Sequence, residues 1–253
     1  LARAMVDDHY AKGWHSTSSV ASLGAVAACA RLLKLPHAQC VNALGIAVAQ
    51  IAGSRQNFGT MSKPLQAGQA NALALRSIGL ARLGFDASAR ALDGEQGYSA
   101  LYADGADLSC QLDQLGSLPL ELESSGIEVK KYPLCYATHR TLDGLTDLMA
   151  ETPGLDLSAV DCVEVTTNFR ATVPLIYDAP KTGLEGKFSM QYAVTAALLD
   201  KKIGLSSFDD QAVQRREVQA FMPRVKVREG EPPMFPRWAA LRVVLKDGRV
   251  LEK

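Results

Sequence analysis

Small and hydrophobic residues recur at helical spacing from Ser16 to about Gly84, which predicts a stretch of closely packed helices. Three helices are predicted there, at residues 20–33, from about Pro36 to before Gly53, and from Pro64 to Leu83. A further short helix is predicted at Ala87–Leu92, and more helix around Leu101. The chain should therefore be almost entirely α up to about Ser125.

After residue 126 the pattern changes to an alternation of apolar and polar positions, with many β-branched side chains. Strands are predicted at Ile127–Lys130, Val160–Thr167, Val225–Arg228, Ala240–Lys246 and Arg249–Leu251. The last two flank Asp247-Gly248, which is a strong signal for a hairpin turn. Helices are predicted between the strands, at about Thr138–Glu151 and Phe188–Leu199.

These elements predict a mainly α protein with a smaller α+β domain. We place the boundary near residue 126, with a helical domain at 1–126 and an α/β domain at 127–253. The chain begins at Leu1 within a pattern and ends at Lys253 within the return strand of the hairpin. We therefore expect a fragment whose helical domain is incomplete at its N-terminus.

The charge balance narrows the classes of partner. The chain has 27 Lys and Arg residues and 27 Asp and Glu residues, so its formal net charge is zero. This balance offers no electrostatic attraction to nucleic acid or to an anionic membrane surface. No apolar run is long enough to span a bilayer, and the first residues lack the apolar core of a signal peptide. We expect a cytoplasmic protein that binds neither nucleic acid nor membrane.

The cysteines point to the same compartment. They are odd in number, widely separated and never in a Cys-x-x-Cys pair, which is typical of a reducing cytosol. The five are Cys29, Cys40, Cys110, Cys135 and Cys162. Because this spacing offers no compact ligand set for zinc or an iron–sulfur cluster, we predict that any catalysis is metal-free.

Four segments concentrate side chains that could bind and protonate a polycarboxylate. They carry His15, Lys63, Lys130 with His139, and Tyr192. All of these except Tyr192 are predicted to lie where a helix begins, and a helix N-terminus attracts carboxylates and lowers the pKa of a histidine. Their spread along the chain favours one assembled site.

Each candidate also has a structural interpretation. His15 could be a structural histidine packed with Trp14. Lys63 precedes Pro64, which predicts an extended conformation that aims the ammonium away from the helix opened by Pro64, although most lysines lie on solvated surfaces. Lys130 ends a predicted strand, and alternation along that strand puts only one of Lys130 and Lys131 on the inner face.

Tyr192 and Ser189 belong to the segment for which the structural interpretation is strongest. A tyrosine in an apolar helix is usually a core residue whose hydroxyl is bonded to a backbone group. Ser189 could orient a carboxylate or lie on the surface. The chain has neither a Gly-rich phosphate loop nor a nucleophile elbow, so phosphoryl transfer, hydride transfer and serine hydrolysis are unsupported.

The four segments together resemble those of the MmgE/PrpD family. The matching stretches are Gly13-Trp14-His15-Ser16-Thr17, Gly59-Thr60-Met61-Ser62-Lys63-Pro64-Leu65, Lys130-x-Tyr132-Pro133-x-Cys135 with His139, and Phe188-Ser189-Met190-Gln191-Tyr192. They follow the family's order over essentially the whole chain. The resemblance implies a helical domain plus an α/β lid, an active site in the cleft between them, and usually a homodimer.

The resemblance also implies chemistry without a cofactor on a small di- or tricarboxylic acid. The leading prediction is a lyase like 2-methylcitrate dehydratase, which moves a proton next to a carboxylate and releases water or carbon dioxide. An epimerase of the same family and a non-catalytic remnant are the alternatives. His15, Lys63, Lys130 and Tyr192 fall on catalytic positions, and we assign substrate binding to His139, Ser189 and Thr17.

Two departures from the family pattern stand out. Gln66 occupies a position where family members often have a histidine, and its amide cannot titrate. The family's helical domain also has an N-terminal portion that carries an acidic residue and a further histidine of the site, and the family has a closing C-terminal segment. We expect both to lie outside this chain.

Overall fold

A computed structural model of the chain describes residues 1–5, 8–109 and 115–253. These residues form a mainly α structure with a small four-stranded mixed sheet. They fold into two compact units, the first made of Leu1–Asn57 with Met61–Ile127 and the second of Phe58–Thr60 with Glu128–Lys253. Cys110 and the rest of the helical prediction at 110–114 lie outside the described residues.

The described part of the first unit is built from helices. They are α1 (Asp8–Ala11), α2 (Ser16–Ser19), α3 (Ala21–Leu32), α4 (His37–Val48), α5 (Ser62–Arg82), α6 (Tyr98–Tyr102) and α7 (Glu121–Ser125), with 3-10 turns at Ala2–Ala4 and Arg55–Asn57. The three long helices predicted from the sequence are confirmed as α3, α4 and α5. All three pack against one another.

Small side chains let these helices approach closely. The core of the first unit consists of Leu23, Val26, Ala30, Ala43, Ile46, Ala47, Ile51, Leu73, Ala74, Ile78, Ala81 and Tyr98. A Cβ added at Gly45 of α4 would lie 2.6 Å from the Cβ of Ala87, so glycine is also needed where the irregular segment after α5 lies against α4.

The short helix predicted at Ala87–Leu92 is wrong. This segment is a series of turns whose backbone bonds reach far along the chain. The Ala91 carbonyl accepts from the Tyr98 amide at 2.8 Å, and the Ala87 amide donates to the side chain of Asn42 at 3.3 Å. These bonds replace the local i to i−4 pattern of a helix, although the composition favours one.

The second unit contains the sheet. Its strands are β1 (Val160–Thr167), β2 (Val225–Glu229), β3 (Ala239–Leu245) and β4 (Val250–Glu252), in the order β2-β1-β3-β4. β1 pairs with β2 in parallel and with β3 antiparallel, and β3 and β4 form the predicted hairpin. Four of the five predicted strands are thus confirmed.

The strand predicted at Ile127–Lys130 is wrong. The segment has no regular secondary structure, and Ile127 and Val129 are 75% and 85% exposed. Alternation alone does not make a strand when no neighbouring strand completes the backbone hydrogen bonds.

Helices cover the sheet. The second unit contains α8 (His139–Glu151), α9 (Gly183–Gly186), α10 (Met190–Asp200), α11 (Asp210–Val213) and α12 (Arg216–Phe221), with 3-10 turns at Tyr136–Thr138, Leu205–Phe208 and Met222–Arg224. α8 packs on β3, α10 packs on β2, and the two helices contact each other. Their apolar faces join Val163 and Val165 of β1 in one buried core.

Three residues from the first part of the chain complete the second unit. The ring of Phe58 lies 5.0 Å from that of Phe188, and its carbonyl accepts a 2.8 Å hydrogen bond from the Tyr177 hydroxyl. Gly59 has a φ of +81°, and a Cβ there would lie 2.4 Å from the Tyr177 ring. The described residues contain no helix long and apolar enough to cross a membrane.

Candidate functional site

In the first unit, the motif segment that carries His15 is paired with residues 53–55. Residues 13–15 run antiparallel to residues 53–55, with an isolated bridge between Trp14 and Ser54. The His15 amide donates to the Gly53 carbonyl at 3.2 Å, and the Arg55 amide donates to the Gly13 carbonyl at 2.8 Å. This pairing fixes the backbone on both sides of His15.

The backbone of His15 also starts a helix. His15 is the N-cap of α2, and its carbonyl accepts from the amides of Ser18 and Ser19 at 2.8 and 3.0 Å. The sequence predicted that its ring would lie beside the alanine-rich helix, but that helix is α3, which begins only at Ala21. The imidazole is therefore placed by a single turn of helix and by the 53–55 segment.

The ring of His15 is buried and bonded to a side chain of α5. His15 is 6% exposed, and its Nδ1 lies 2.5 Å from Oε1 of Gln66. Burial lowers the pKa of the imidazole, the Gln66 contact raises it, and the Lys63 ammonium lowers it, for a net pKa below the ordinary 6.5. The ring is therefore neutral at pH 7.

Lys63 lies in the first turn of α5, one turn before Gln66. The extended conformation predicted for Lys63 is wrong, because α5 begins at Ser62 and continues through Pro64. A proline is tolerated at this third helical position because the amide that it lacks would have no partner within the helix. Lys63 is half-buried, and its charge acts on the His15 ring.

Gln66 is the residue that sequence reasoning did not place in the site. Besides meeting His15, it donates from Nε2 to the Ser54 carbonyl at 2.9 Å, so it connects α5 with the paired segments. The signal for it was its position three residues after Lys63, where the resembled family often has a titrating residue. We call His15, Ser54, Lys63 and Gln66 the His15 cluster.

The second unit places a second histidine in comparable surroundings. His139 is the first residue of α8 and is 5% exposed. Its ring lies edge-on to Tyr132 at 5.2 Å and against Tyr136 at 4.8 Å. Burial lowers its pKa most, the Leu134 carbonyl raises it, and Lys130 lowers it. Within the described residues, Nε2 of this ring is buried without a hydrogen-bond partner.

The structure distinguishes the two neighbouring lysines. Lys131 donates to Asp143 at 2.6 Å, and Asp143 also accepts from the Tyr132 hydroxyl at 2.8 Å. This hydrogen bond is the main cause that raises the pKa of Lys131 to about 12. Lys130 is exposed and makes no ion pair with any described residue, and its charge acts on His139.

Lys130 does not lie where the sequence placed it. It belongs to the irregular segment before the 3-10 turn at Tyr136–Thr138, so it neither ends a strand nor begins a helix. A backbone bond from the Cys135 amide to the Lys187 carbonyl, at 2.9 Å, holds this segment against the one that precedes α10. We call Lys130, Tyr132, His139 and Asp143 the His139 cluster.

Tyr192 and Ser189 serve the packing of α10. Tyr192 is fully buried in the core of the second unit, its hydroxyl donates to the Ser207 carbonyl, and burial is the main cause that raises its pKa to about 12. Ser189 is the N-cap of α10 and accepts from the Tyr192 amide at 3.1 Å. These contacts agree with the structural interpretation of both residues, and their functional roles stay predictions.

The remaining candidates show little that bears on chemistry. Thr17 lies exposed on α2, and its assignment to substrate binding also stays a prediction. The described residues contain no group of three His, Cys, Asp or Glu side chains that could hold a metal ion. Cys29, Cys40, Cys135 and Cys162 form no disulfide bond with a described residue.

Each cluster thus combines a buried imidazole of lowered pKa with a lysine ammonium that acts on it. A neutral imidazole can accept a proton at pH 7, and an ammonium can bind a carboxylate. This combination suits proton transfer to or from a carbon next to a carboxylate.

Comparison with known proteins gives two kinds of match. The model of the MmgE/PrpD N-terminal domain matches residues 1–111, and that of the MmgE/PrpD C-terminal domain matches residues 132–253. Cis-aconitate decarboxylase of Mus musculus is 30% identical over 243 residues, and that of Homo sapiens is 29% identical over 245. Each alignment covers 94% of this chain but only 49% and 50% of the relative, so the chain spans about half the length of these curated relatives.

Proposed function

The chain belongs to the MmgE/PrpD family, and from this membership we propose that it takes part in a cofactor-free lyase reaction on a di- or tricarboxylic acid. Loss of carbon dioxide from cis-aconitate is the first reaction to test, since two relatives carry that activity in their names. The observation that carries the proposal is the buried, neutral imidazole of His15 beside the Lys63 ammonium.

The proposed roles use residues of both clusters. Lys63 binds a substrate carboxylate and stabilises the negative charge that develops on the neighbouring carbon, and Lys130 is assigned the binding of a carboxylate in its own cluster. His15 exchanges a proton with that carbon, because its lowered pKa keeps a lone pair available at neutral pH. His139 accepts a hydrogen bond or a proton from the substrate at Nε2, which no described residue engages.

Decarboxylation and dehydration place different demands on these groups. In decarboxylation the bond to one carboxylate breaks, its electron pair stays on the substrate, and an imidazole that has first taken up a proton from solvent delivers that proton to carbon. In dehydration a base removes a proton from carbon, and the hydroxyl leaves as water after it is protonated. Both need a proton carrier and bound carboxylates, which is why the dehydration of 2-methylcitrate is the second reaction to test.

The experiment offers cis-aconitate, citrate and 2-methylcitrate to the purified chain without added metal. Carbon dioxide release and the absorbance of the unsaturated acid are followed together. Lys63→Ala should reduce kcat/KM by at least about 100-fold with little change in thermal stability, because it removes a charge that acts in the transition state. The matched control is Lys34→Ala, a change at an exposed lysine of the same unit, which should retain wild-type turnover.

Two outcomes would contradict the proposal. Full turnover in Lys63→Ala would remove Lys63 from the catalytic set. Wild-type protein that folds but converts none of the three acids would favour the alternative that the chain alone is non-catalytic.

A further inference from the structure

The side-chain amide of Gln66 lies between the His15 ring and the Ser54 carbonyl, and the carbonyl fixes its orientation. The Ser54 carbonyl can only accept a hydrogen bond, so the Gln66 atom that faces it at 2.9 Å must be the NH₂ group. The amide oxygen, Oε1, then faces Nδ1 of His15 at 2.5 Å. Since an amide oxygen can only accept, Nδ1 must carry a hydrogen.

We propose that Gln66 is a positioning residue that holds neutral His15 as the Nδ1–H tautomer, so that the lone pair used for proton transfer lies on Nε2. A neutral imidazole carries one hydrogen, and the bond to Gln66 places it on Nδ1. This inference rests on the proposed function for the use of the lone pair, but the tautomer itself follows from the hydrogen bonds alone. Gln66 is assigned no contact with the substrate.

The surrounding structure makes this arrangement rigid. Ser54 is held by its bridge to Trp14, and its side chain accepts from the Gln56 amide at 3.1 Å. Gln66 belongs to the 21-residue helix α5. Because His15 is itself 6% exposed, the ring has little freedom to turn over and exchange its two nitrogens. Partners of this kind fix both the tautomer and the direction of a histidine ring.

Glutamine suits this task because its amide does not titrate. A histidine or a carboxylic acid at this position could change from acceptor to donor as it gains a proton. With glutamine, the tautomer of neutral His15 stays the same over the whole pH range in which the protein is folded.

The direct test is ¹⁵N NMR of the four histidine rings in the whole chain, with His15 assigned by comparison with His15→Asn. In wild-type protein above the pKa of His15, we expect a protonated Nδ1 and an unprotonated Nε2. Gln66→Met keeps the length of the side chain but removes the acceptor, so the hydrogen should redistribute toward Nε2, the nitrogen that a free histidine side chain prefers to protonate. Gln69→Met, at an exposed glutamine of the same helix, is the matched control.

Gln66→Glu provides a second variant in case Gln66→Met does not fold. A carboxylate still accepts from Nδ1, so the Nδ1–H tautomer should persist, while its negative charge should raise the pKa of His15. Gln66→Met should lower that pKa further, since the Gln66 contact raises it in the wild type. If turnover is present, its acid limb should move in the same direction as the pKa in each variant.

A kinetic measurement links the tautomer to the reaction. Gln66→Met should lower kcat by about 10- to 100-fold and leave KM nearly unchanged, as expected for loss of a group that acts only through the ring. Gln66→Glu should restore much of kcat at a pH above the raised pKa.

The outcomes separate this inference from the proposed function. An Nε2–H tautomer in the wild type, or the Nδ1–H tautomer unchanged in Gln66→Met, would overturn the role of Gln66 even if turnover is found. The expected tautomers in a protein that converts no carboxylic acid would uphold Gln66 as the group that sets His15, while the lyase proposal would fail.

Discussion

At the scale of single residues, His15 and His139 share the feature that matters most for chemistry. Burial is the largest influence on the pKa of both rings, and in each case a lysine lowers it further. The two lysines do not form charge-neutralising pairs with these histidines, because both members of each pair are basic. An anion that approaches such a pair meets an ammonium and an uncharged imidazole, which is favourable for a carboxylate that must exchange a proton.

The lowered pKa values of His15 and His139 predict how the stability of the protein depends on pH. Above the unfolded pKa of about 6.5, both states of each histidine are neutral and the rings make no pH-dependent contribution. Below this pKa the unfolded chain binds protons before the folded protein does. The free energy of unfolding should therefore decrease as the pH is lowered, until the pH is below the pKa of the folded protein. Urea unfolding between about pH 8 and pH 5 measures this slope.

The test compares two single variants. His139→Gln should reduce the slope, whereas His37→Gln, at an exposed histidine of α4, should leave it nearly as in the wild type. A slope that is the same in His139→Gln as in the wild type would show that His139 is not the origin of the effect.

A second prediction separates the neighbouring lysines. Lys130→Ala should lower kcat/KM by at least about tenfold, because it removes a charge proposed to bind substrate, and it should raise the pKa of His139. Lys131→Ala breaks an ion pair with Asp143 and should change turnover much less. The pKa is measured by NMR without turnover, so the two effects can be checked separately. The reverse ranking of the two variants would assign the carboxylate to Lys131.

At the scale of elements, sequence reasoning succeeds where one local pattern decides the outcome. The long helices α3, α4 and α5 follow from continuous small and apolar repeats, and the β3–β4 hairpin follows from Asp247-Gly248 between alternating strands. Strand β1 is predictable because its apolar residues Val163 and Val165 are needed in a core. The residues that determine the structure of these elements lie within the elements.

The wrong predictions concern segments whose structure depends on contacts with residues distant in the sequence. Ile127–Lys130 alternates like a strand but has no neighbouring strand. In Ala87–Leu92, backbone groups form hydrogen bonds with Asn42 and Tyr98. Lys63 is helical because a proline near a helix start costs no hydrogen bond. Gln66 could be noticed in the sequence, but its two partners could not be identified before α5 and the 53–55 segment were placed.

Helix α10 provides the third prediction, because it tests the implied catalytic role of Tyr192. Tyr192→Phe leaves the Ser207 carbonyl without its buried donor, which should cost about 1–3 kcal/mol of unfolding free energy. If the residue only packs α10, kcat should remain within about twofold of the wild type at a temperature where both proteins are folded. Tyr98→Phe, which removes a buried hydroxyl from the first unit, is the matched control. A large loss of kcat in Tyr192→Phe alone would support catalysis by the phenol.

At the scale of the whole molecule, family membership and physical detail contribute different things. The two family models match almost the entire chain, whereas the curated relatives extend over about twice its length. The hydrogen bonds described above for the side chains of the His15 cluster lie within the first compact unit, and those of the His139 cluster lie within the second. Their local properties, the histidine pKa values and the His15 tautomer, can therefore be measured in this chain whatever its turnover.

The three residues Phe58–Thr60 have a consequence for anyone who recombines this chain with a relative. They belong to the second compact unit, although they precede its main body by more than 60 residues. A chimaera joined near residue 127 would present the native Tyr177 and Phe188 with a foreign segment at 58–60. Since no side chain fits at Gly59, the donor must supply glycine there and an aromatic residue before it. The hybrids that fold should be those in which this small distant segment travels with the C-terminal parent.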